Sequence, residues 1–437
     1  MEALLRSREV CLRLLEATER TLDRACDQLD RRIRRCEINL KQHAQEIHTR
    51  IENDIHIAAR VVEREVRNKS LLSQWCSHFV AEGVYEDLDP IAFAFLRLSL
   101  NVAAAHKEVS YETLRQSNVH SLLVSLTGFE RNVTVGPALL ALCQISLDHR
   151  MRHDIVHAGV LPPLLHLAVH NRSSAVLSMT AKLCASLSMH PPNKPLIATS
   201  GLFHALIDLS VGAHVRVTDQ VRRFAVQALL NLTHGSDANR SILVDLDGIR
   251  PLLECVMSGI DPLLVRLSIL VFANVAFRSA YTVGKLLREA VDVAVLETLS
   301  VTDVINDSAM TRSCLLALTN CTVSARYRSH LAPSALAPIL RVCNHSIDLV
   351  SVSYAANLTS ALVFDHPGNK ATFGGGALVA LLDRLLICCA TDSEGAVECV
   401  DSLCLAIASL LLFVPNHELF NGDPSLVFKR LECLLQI

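Results

Sequence analysis

The 437-residue chain predicts an all-α fold: a solenoid of stacked helical units preceded by a long coiled-coil helix. Three observations carry this expectation. A turn-like position followed by an apolar run recurs every 41 to 47 residues, at Asn118, Gly159, Gly201, Gly248, Val291, Ala335, Gly376 and Gly422. A second position recurs 14 to 17 residues ahead of each, at Asn101, Gln144, Ser186, Asn231, Asn274, Asn320, Ala361 and Ala408. Two ladders that keep a near-constant offset over eight periods mark tandem helical modules sharing one continuous core. The third observation is a change of composition: residues 1–82 lack glycine and proline, and 28 of the first 80 residues are charged, against 57 of the remaining 357.

The elements follow in order. Cys26, Ile33, Leu40 and Ile47 recur at seven, as do Leu15, Leu22, Leu29 and Cys36, which together form an a/d seam on a long helix over 1–82. After Ile47 the spacing passes to Ile51, Ile55, Ala58 and Val62, a four-residue stutter. Such a seam needs a partner helix, supplied by a second copy, another protein or the solenoid itself. The run Arg31-Arg32-Ile33-Arg34-Arg35 has Asp23, Asp27 and Asp30 within two helical turns, which favours local charge pairing over a nuclear import signal or a patch for an acidic partner. Gly83 to Pro90 reads as a linker over 83–90, and residues 91–437 as about eight repeats.

A representative repeat runs from Val217 to Cys255. Val221, Ala225, Ala228, Leu229 and Leu232 share one helical face, a polar turn follows from His234 to Asn239, and two shorter helices meet at Gly248. The ladder glycine is expected in the left-handed conformation, where chain reversal between helices favours it. Pro162, Pro251 and Pro338 fall three residues after their ladder positions, where a first-turn proline costs no helical hydrogen bond.

Composition bounds the function. Hydrophobic residues make up 51% and aromatics 4%, so the core is built of Leu, Val, Ile and Ala. A net charge of −3 gives no electrostatic case for nucleic acid. The fifteen cysteines include no C-x-x-C pair, and most, such as Cys143, Cys184, Cys255 and Cys314, read as buried free thiols, with the same reading for the vicinal Cys388–Cys389. No secretory signal is evident, and the acidic residues Glu2, Glu9, Glu16 and Glu19 argue against a mitochondrial presequence. The apolar run Leu403 to Val414 is too short to span a bilayer. The sequons at Asn231 and Asn357 fall inside expected helices, so glycosylation is not expected there. The expected location is the cytoplasm, with a flagellar, ciliary or cytoskeletal setting as the variant.

Ile155-Val-His-Ala-Gly159-Val-Leu-Pro-Pro-Leu164-Leu165 and Phe224-Ala-Val-Gln-Ala-Leu-Leu-Asn231-Leu carry a resemblance. The first is similar to the junction of the first and second helices in the armadillo repeat family, the second to its third-helix signature. The resemblance covers residues 91–437 and implies a right-handed α-solenoid whose third helices line the concave face. It also implies that the third-helix asparagine hydrogen-bonds the backbone of an extended peptide. Matched residue by residue, that role passes to Asn101, Asn231, Asn274 and Asn320, with Gln144 a chemically plausible substitute; Ala361 and Ala408 cannot perform it. Import adaptors of this fold carry tryptophan four residues before the asparagine, whereas Arg97, Gln227, Leu270 and Leu316 stand here, so binding of nuclear signals is not expected.

The chemistry of the residues agrees. An Asn amide offers a donor and an acceptor and pairs with a peptide unit whatever its side chain. Each such bond nets only ~0.5–1.5 kcal/mol against the ~8 kcal/mol of micromolar affinity, so charge must contribute. Arg223, Arg266 and Arg312 each stand eight residues before a ladder asparagine in three consecutive repeats, a file of guanidiniums suited to an acidic segment. The competing reading is that the asparagines brace the neighbouring repeat and the arginines are solvated. His149, His153 and His157 read as surface residues, and Gly374-Gly375-Gly376 as an elaborated turn lacking the Lys-Ser/Thr of a phosphate loop. No nucleophile–base pair or acidic dyad stands out. The expected function is a non-enzymatic scaffold without cofactor or metal that holds an extended acidic segment along the groove. The alternative is a structural part of an axonemal or other cytoskeletal assembly.

Overall fold

The computed structural model describes residues 119–128, 132–171, 173–211, 217–303, 305–389, 394–413 and 416. The coiled-coil helix expected over 1–82, the linker 83–90, Arg97, Asn101, Asn118 and Gly422 lie outside the described residues. Among the described residues there are eighteen helices and no strand. The chain divides into two compact units, Met1–Ala141 and Leu142–Ile437. In the first, α1 (Val119–Thr127) buries Leu123, Val124 and Leu126, and the opening turns of α2 (Asn132–Ile145) bury Val135, Ala138 and Leu139.

The second unit repeats a three-helix module four times: α3 (His149–His157), α4 (Leu161–His170) and α5 (Ser174–Leu187); α6 (Asn193–Thr199), α7 (Leu202–Val211) and α8 (Asp219–Thr233); α9 (Asp237–Asp245), α10 (Ile249–Ser258) and α11 (Pro262–Ala276); α12 (Ala280–Arg288), α13 (Val291–Val301) and α14 (Ser308–Asn320). Two modules follow in which the first two helices are one, α15 (Ala325–His345) with α16 (Leu349–Val363), then α17 (Pro367–Cys389) with α18 (Glu394–Leu411). Third helices pack on third helices in unbroken order, α5, α8, α11, α14, α16, α18, and second helices on second helices in the same way. Each third helix is thus enclosed by neighbours on several sides. On α11 this leaves Leu264, Ile269, Val271, Phe272 and Val275 within 1% exposure, the continuous core that the ladders foretold.

Helix starts follow the capping rule. Thr218, Ser236, Asp261, Ser279, Asp307 and Asp348 each hold non-helical backbone and accept a hydrogen bond from an amide in the first turn.

The turn between first and second helices differs from expectation in detail. Gly159 and Gly201 are left-handed, with φ of +88° and +86°. In the next two modules that conformation falls on Asp247 (φ 53°) and Ala290 (φ 57°), one place before the ladder residue. Gly248 has φ −68°. It is glycine for room: a Cβ there would lie 2.6 Å from Leu243 Cδ1 and 2.9 Å from Leu243 O. In the fifth module alanine, a strong helix former, occupies the ladder place. The chain then runs straight on as α15, which puts Pro338 inside a helix instead of in a first turn. Gly374 to Gly376 likewise do not form a separate turn. They lie within α17, whose two limbs meet at 66° there, as expected of adjacent glycines in a helix. Among the described residues no single helix is long and apolar enough to cross a membrane.

Candidate partner-binding face

The third helices present their half-buried ladder residues along one row. Asn231 Nδ2 donates to Ala185 O at 2.8 Å. Asn274 Nδ2 donates to Leu230 O at 3.1 Å and to Thr233 Oγ1 at 3.2 Å. Asn320 Nδ2 donates to Ala273 O at 2.8 Å. In all three the backbone acceptor is the carbonyl one residue before the preceding ladder position, so the register is the same across three junctions. A carbonyl only accepts, which fixes each amide with its nitrogen toward the neighbouring repeat. The asparagines therefore brace successive third helices: Asn274 makes two bonds with its amide nitrogen, and Asn231 and Asn320 spend one of their two N–H groups each.

Their acceptors differ. Asn231 Oδ1 takes Gln227 Nε2 at 3.2 Å. The Oδ1 atoms of Asn274 and Asn320 have no hydrogen-bond partner among the described residues, nor does the side chain of half-buried Gln144. Ser186 continues the brace one module earlier, its hydroxyl donating to Ser146 O at 3.1 Å. Where the ladder carries Ala361 and Ala408, hydroxyl pairs take over: Ser353 with Ser402 at 2.8 Å and Ser360 with Ser409 at 3.3 Å.

The arginine file is arranged by a second rule. Arg223 Nε donates to Asp261 Oδ2 at 2.5 Å, and Arg312 Nε lies 3.7 Å from Asp348 Oδ2. Each carboxylate is the N-cap of the next third helix, so the guanidinium ties one repeat to the start of the following one. Arg266, on the helix between them, is half-buried and has no ion pair or hydrogen bond among the described residues. Arg223 spends its Nε on Asp261 and keeps its outer nitrogens at a surface that is 44% exposed. Beside it, Lys182 lies 6.0 Å from the centre of the Phe224 ring. The row thus offers one unpaired cation, two part-used cations and free amide acceptors.

Burial raises the Asp261 carboxyl, but hydrogen bonds from Arg223 and from the Leu264 and Leu263 amides outweigh it and hold the group below its ordinary 3.8. A depressed carboxylate contributes stability above its unfolded value and loses it as pH falls through the folded one. Thermal melts from about pH 5 to about pH 2.5 are expected to show this loss, and Asp261→Asn to flatten that part of the curve. An unchanged pH profile in the variant would mean that the pair carries no weight.

A third ladder escaped sequence reading. Asn193, Asn239, Asn369 and Asn416, all at most 5% exposed, sit in the turn or first helical turn after a third helix. Their amides donate to carbonyls six or seven residues back: Leu187 at 3.1 Å, Leu232 at 3.0 Å, Leu362 at 2.7 Å and Leu410 at 2.9 Å. Thr282 does the same to Val275 at 2.5 Å. Asn193 and Asn416 also reach the preceding module, at Arg152 O (2.9 Å) and Lys370 O (3.1 Å). The signal was available in His190-Pro-Pro-Asn193, His366-Pro-Gly-Asn369 and Pro415-Asn416, where asparagine follows a turn residue at the repeat period.

Along α3 the His153 and His157 rings stand 4.1 Å apart, yet among the described residues no group of three His, Cys, Asp or Glu side chains is placed to hold a metal. The sequons at Asn231 and Asn357 are closed off, since Thr233 and Thr359 are fully buried.

No known family profile matches the chain. Over 120 residues it is 31% identical to Vacuolar protein 8 of Candida albicans, a stretch that is 28% of this chain and 20% of that protein. The chain thus spans about a fifth of the length of this curated relative. Among solved structures, an engineered protein superposes with a TM-score of 0.62 at 15% identity, covering 83% of this chain and 98% of its own. A designed armadillo repeat protein in complex with the peptide (KR)4 gives 0.50 at 19% identity, covering 58% of this chain and all of its own. The fold is an armadillo-type repeat solenoid.

Proposed function

We propose that this solenoid is a non-catalytic protein-binding scaffold that takes an extended, acidic segment of a partner along its third-helix face. The carrying observation is the file of Arg223, Arg266 and Arg312 on consecutively packed helices, with Arg266 unpaired among the described residues. The designed relative was solved with a basic peptide. A row of arginines on the present chain favours the opposite charge. The ladder asparagines add acceptors at Asn274 and Asn320 that suit the N–H groups of an extended backbone, while their donors hold the repeats together. Because each asparagine spends at least one of its two amide N–H groups on the brace, charge supplies a larger share of the binding energy than the resemblance alone implies.

Fluorescence anisotropy with labelled peptides tests this reading. An oligoglutamate of about eight residues, long enough to span roughly three repeats at ~3.3 Å per residue, is expected to bind. It should weaken steeply as salt is raised from about 50 to 300 mM, because exposed charges are screened. The (KR)4 peptide is expected not to bind. Equal affinity for both peptides, or none for the acidic one, overturns the acidic preference.

A further inference from the structure

We propose that Cys388 and Cys399 form a redox modification site, a dithiol that a small disulfide of the glutathione type converts to an intramolecular disulfide stapling α17 to α18. The two sulfurs lie 3.6 Å apart, with Cys388 1% and Cys399 0% exposed. The residues are 11 apart in sequence and belong to helices that pack against each other. A disulfide needs ~2.05 Å, a closure within reach of side-chain rotation from such contact. Other buried thiols have different neighbours: Cys143 Sγ faces Met179 O at 3.6 Å and Cys255 Sγ faces Ser210 O at 3.4 Å. Among the described residues, Cys388 and Cys399 are the pair whose sulfurs touch.

A second observation points to the same place. Arg384, one turn before Cys388 on α17, has a buried Nε without a hydrogen-bond partner among the described residues. Its charge acts on Cys399 in the direction that favours a thiolate. The vicinal pair that the sequence singles out is a worse candidate. Neighbouring residues on a helix point about 100° apart, and Cys389 is half-buried, interacting with exposed Cys404 instead.

The reaction balances as two exchanges. One cysteine loses its proton and attacks glutathione disulfide, releasing one glutathione thiolate and leaving a mixed disulfide. The other cysteine, also deprotonated, attacks the protein sulfur of that mixed disulfide and releases the second glutathione. Two protein thiols are oxidised, one glutathione disulfide is reduced to two thiols, and two electrons are transferred. Burial pushes the Cys399 thiol up to about 12, so thiolate is scarce and the exchange waits on transient separation of α18 from α17. The site is therefore slow, and exposed Cys404 reacts first.

The test incubates the full chain in glutathione buffers from reducing to oxidising, blocks free thiols, and digests with a protease that cuts after Glu394 and Glu398. A Cys388–Cys399-linked peptide pair is expected to accumulate after Cys404 has become glutathionylated. It should persist in Cys389→Ser and Cys404→Ser and vanish in Cys399→Ala. The oxidised wild type should melt several degrees above the reduced form. Mixed disulfides alone, a Cys388–Cys389 link, or pairing with a cysteine of the first 82 residues would each overturn the assignment.

Discussion

Exchanging Asn193 and Asn239 for alanine is expected to open the solenoid between modules before it unfolds as a whole. Each amide satisfies a buried carbonyl at the end of a third helix, Leu187 O and Leu232 O, from positions that are 0% and 2% exposed. Leaving such a group unpaired costs about 1–3 kcal/mol. The two asparagines bond different carbonyls in different modules, so their effects should add. Asn193→Ala should be the costlier, because it also frees Arg152 O on the preceding module. A repeat array holds together by nearest-neighbour interfaces, so the loss appears locally. Hydrogen exchange should show α5 and α6 losing protection in Asn193→Ala, and α8 and α9 in Asn239→Ala, with distant helices unaffected. Uniform loss along the chain would show that the array behaves as one cooperative block.

Arg266→Glu is expected to weaken the oligoglutamate about tenfold or more without lowering the melting temperature. The tenfold figure follows from the ~1.5–3 kcal/mol of a hydrogen bond to a charged group. The guanidinium has no ion-pair or hydrogen-bond partner among the described residues, so its removal breaks no polar contact of the fold. Arg223→Glu should weaken the peptide and also lower the melting temperature, since it sets a carboxylate against buried Asp261, which caps α11. The two readouts separate a binding role from a bracing one. Unchanged affinity in Arg266→Glu would remove the arginine file from the binding face, whatever happens to stability.

Periodicity made the helical modules, their order and the all-α class readable in the linear chain. Val221, Ala225, Ala228, Leu229 and Leu232 are all fully buried, as one face of a 3.6-residue helix demands. Turn chemistry was readable only in part. Gly159 and Gly201 take the left-handed conformation, but Asp247 and Ala290 do so where the sequence pointed to their neighbours. The polar ladders show the division most clearly. A repeat fixes which helical face a residue occupies, and so places Asn231, Asn274 and Asn320 in one row. It does not say which atoms stand across from that face.

Sequence by itself determined that this is a stack of helical modules, three consecutive ones of which carry one amide and one guanidinium on a common row. Tertiary structure decided that the amide nitrogens join module to module, that two of the three guanidiniums lean on the next helix cap, and that Cys388 meets Cys399. The reason is physical. Residues about one module apart in sequence are brought within ~3 Å only when helices pack, and a polar atom's role is set by what it touches at that range.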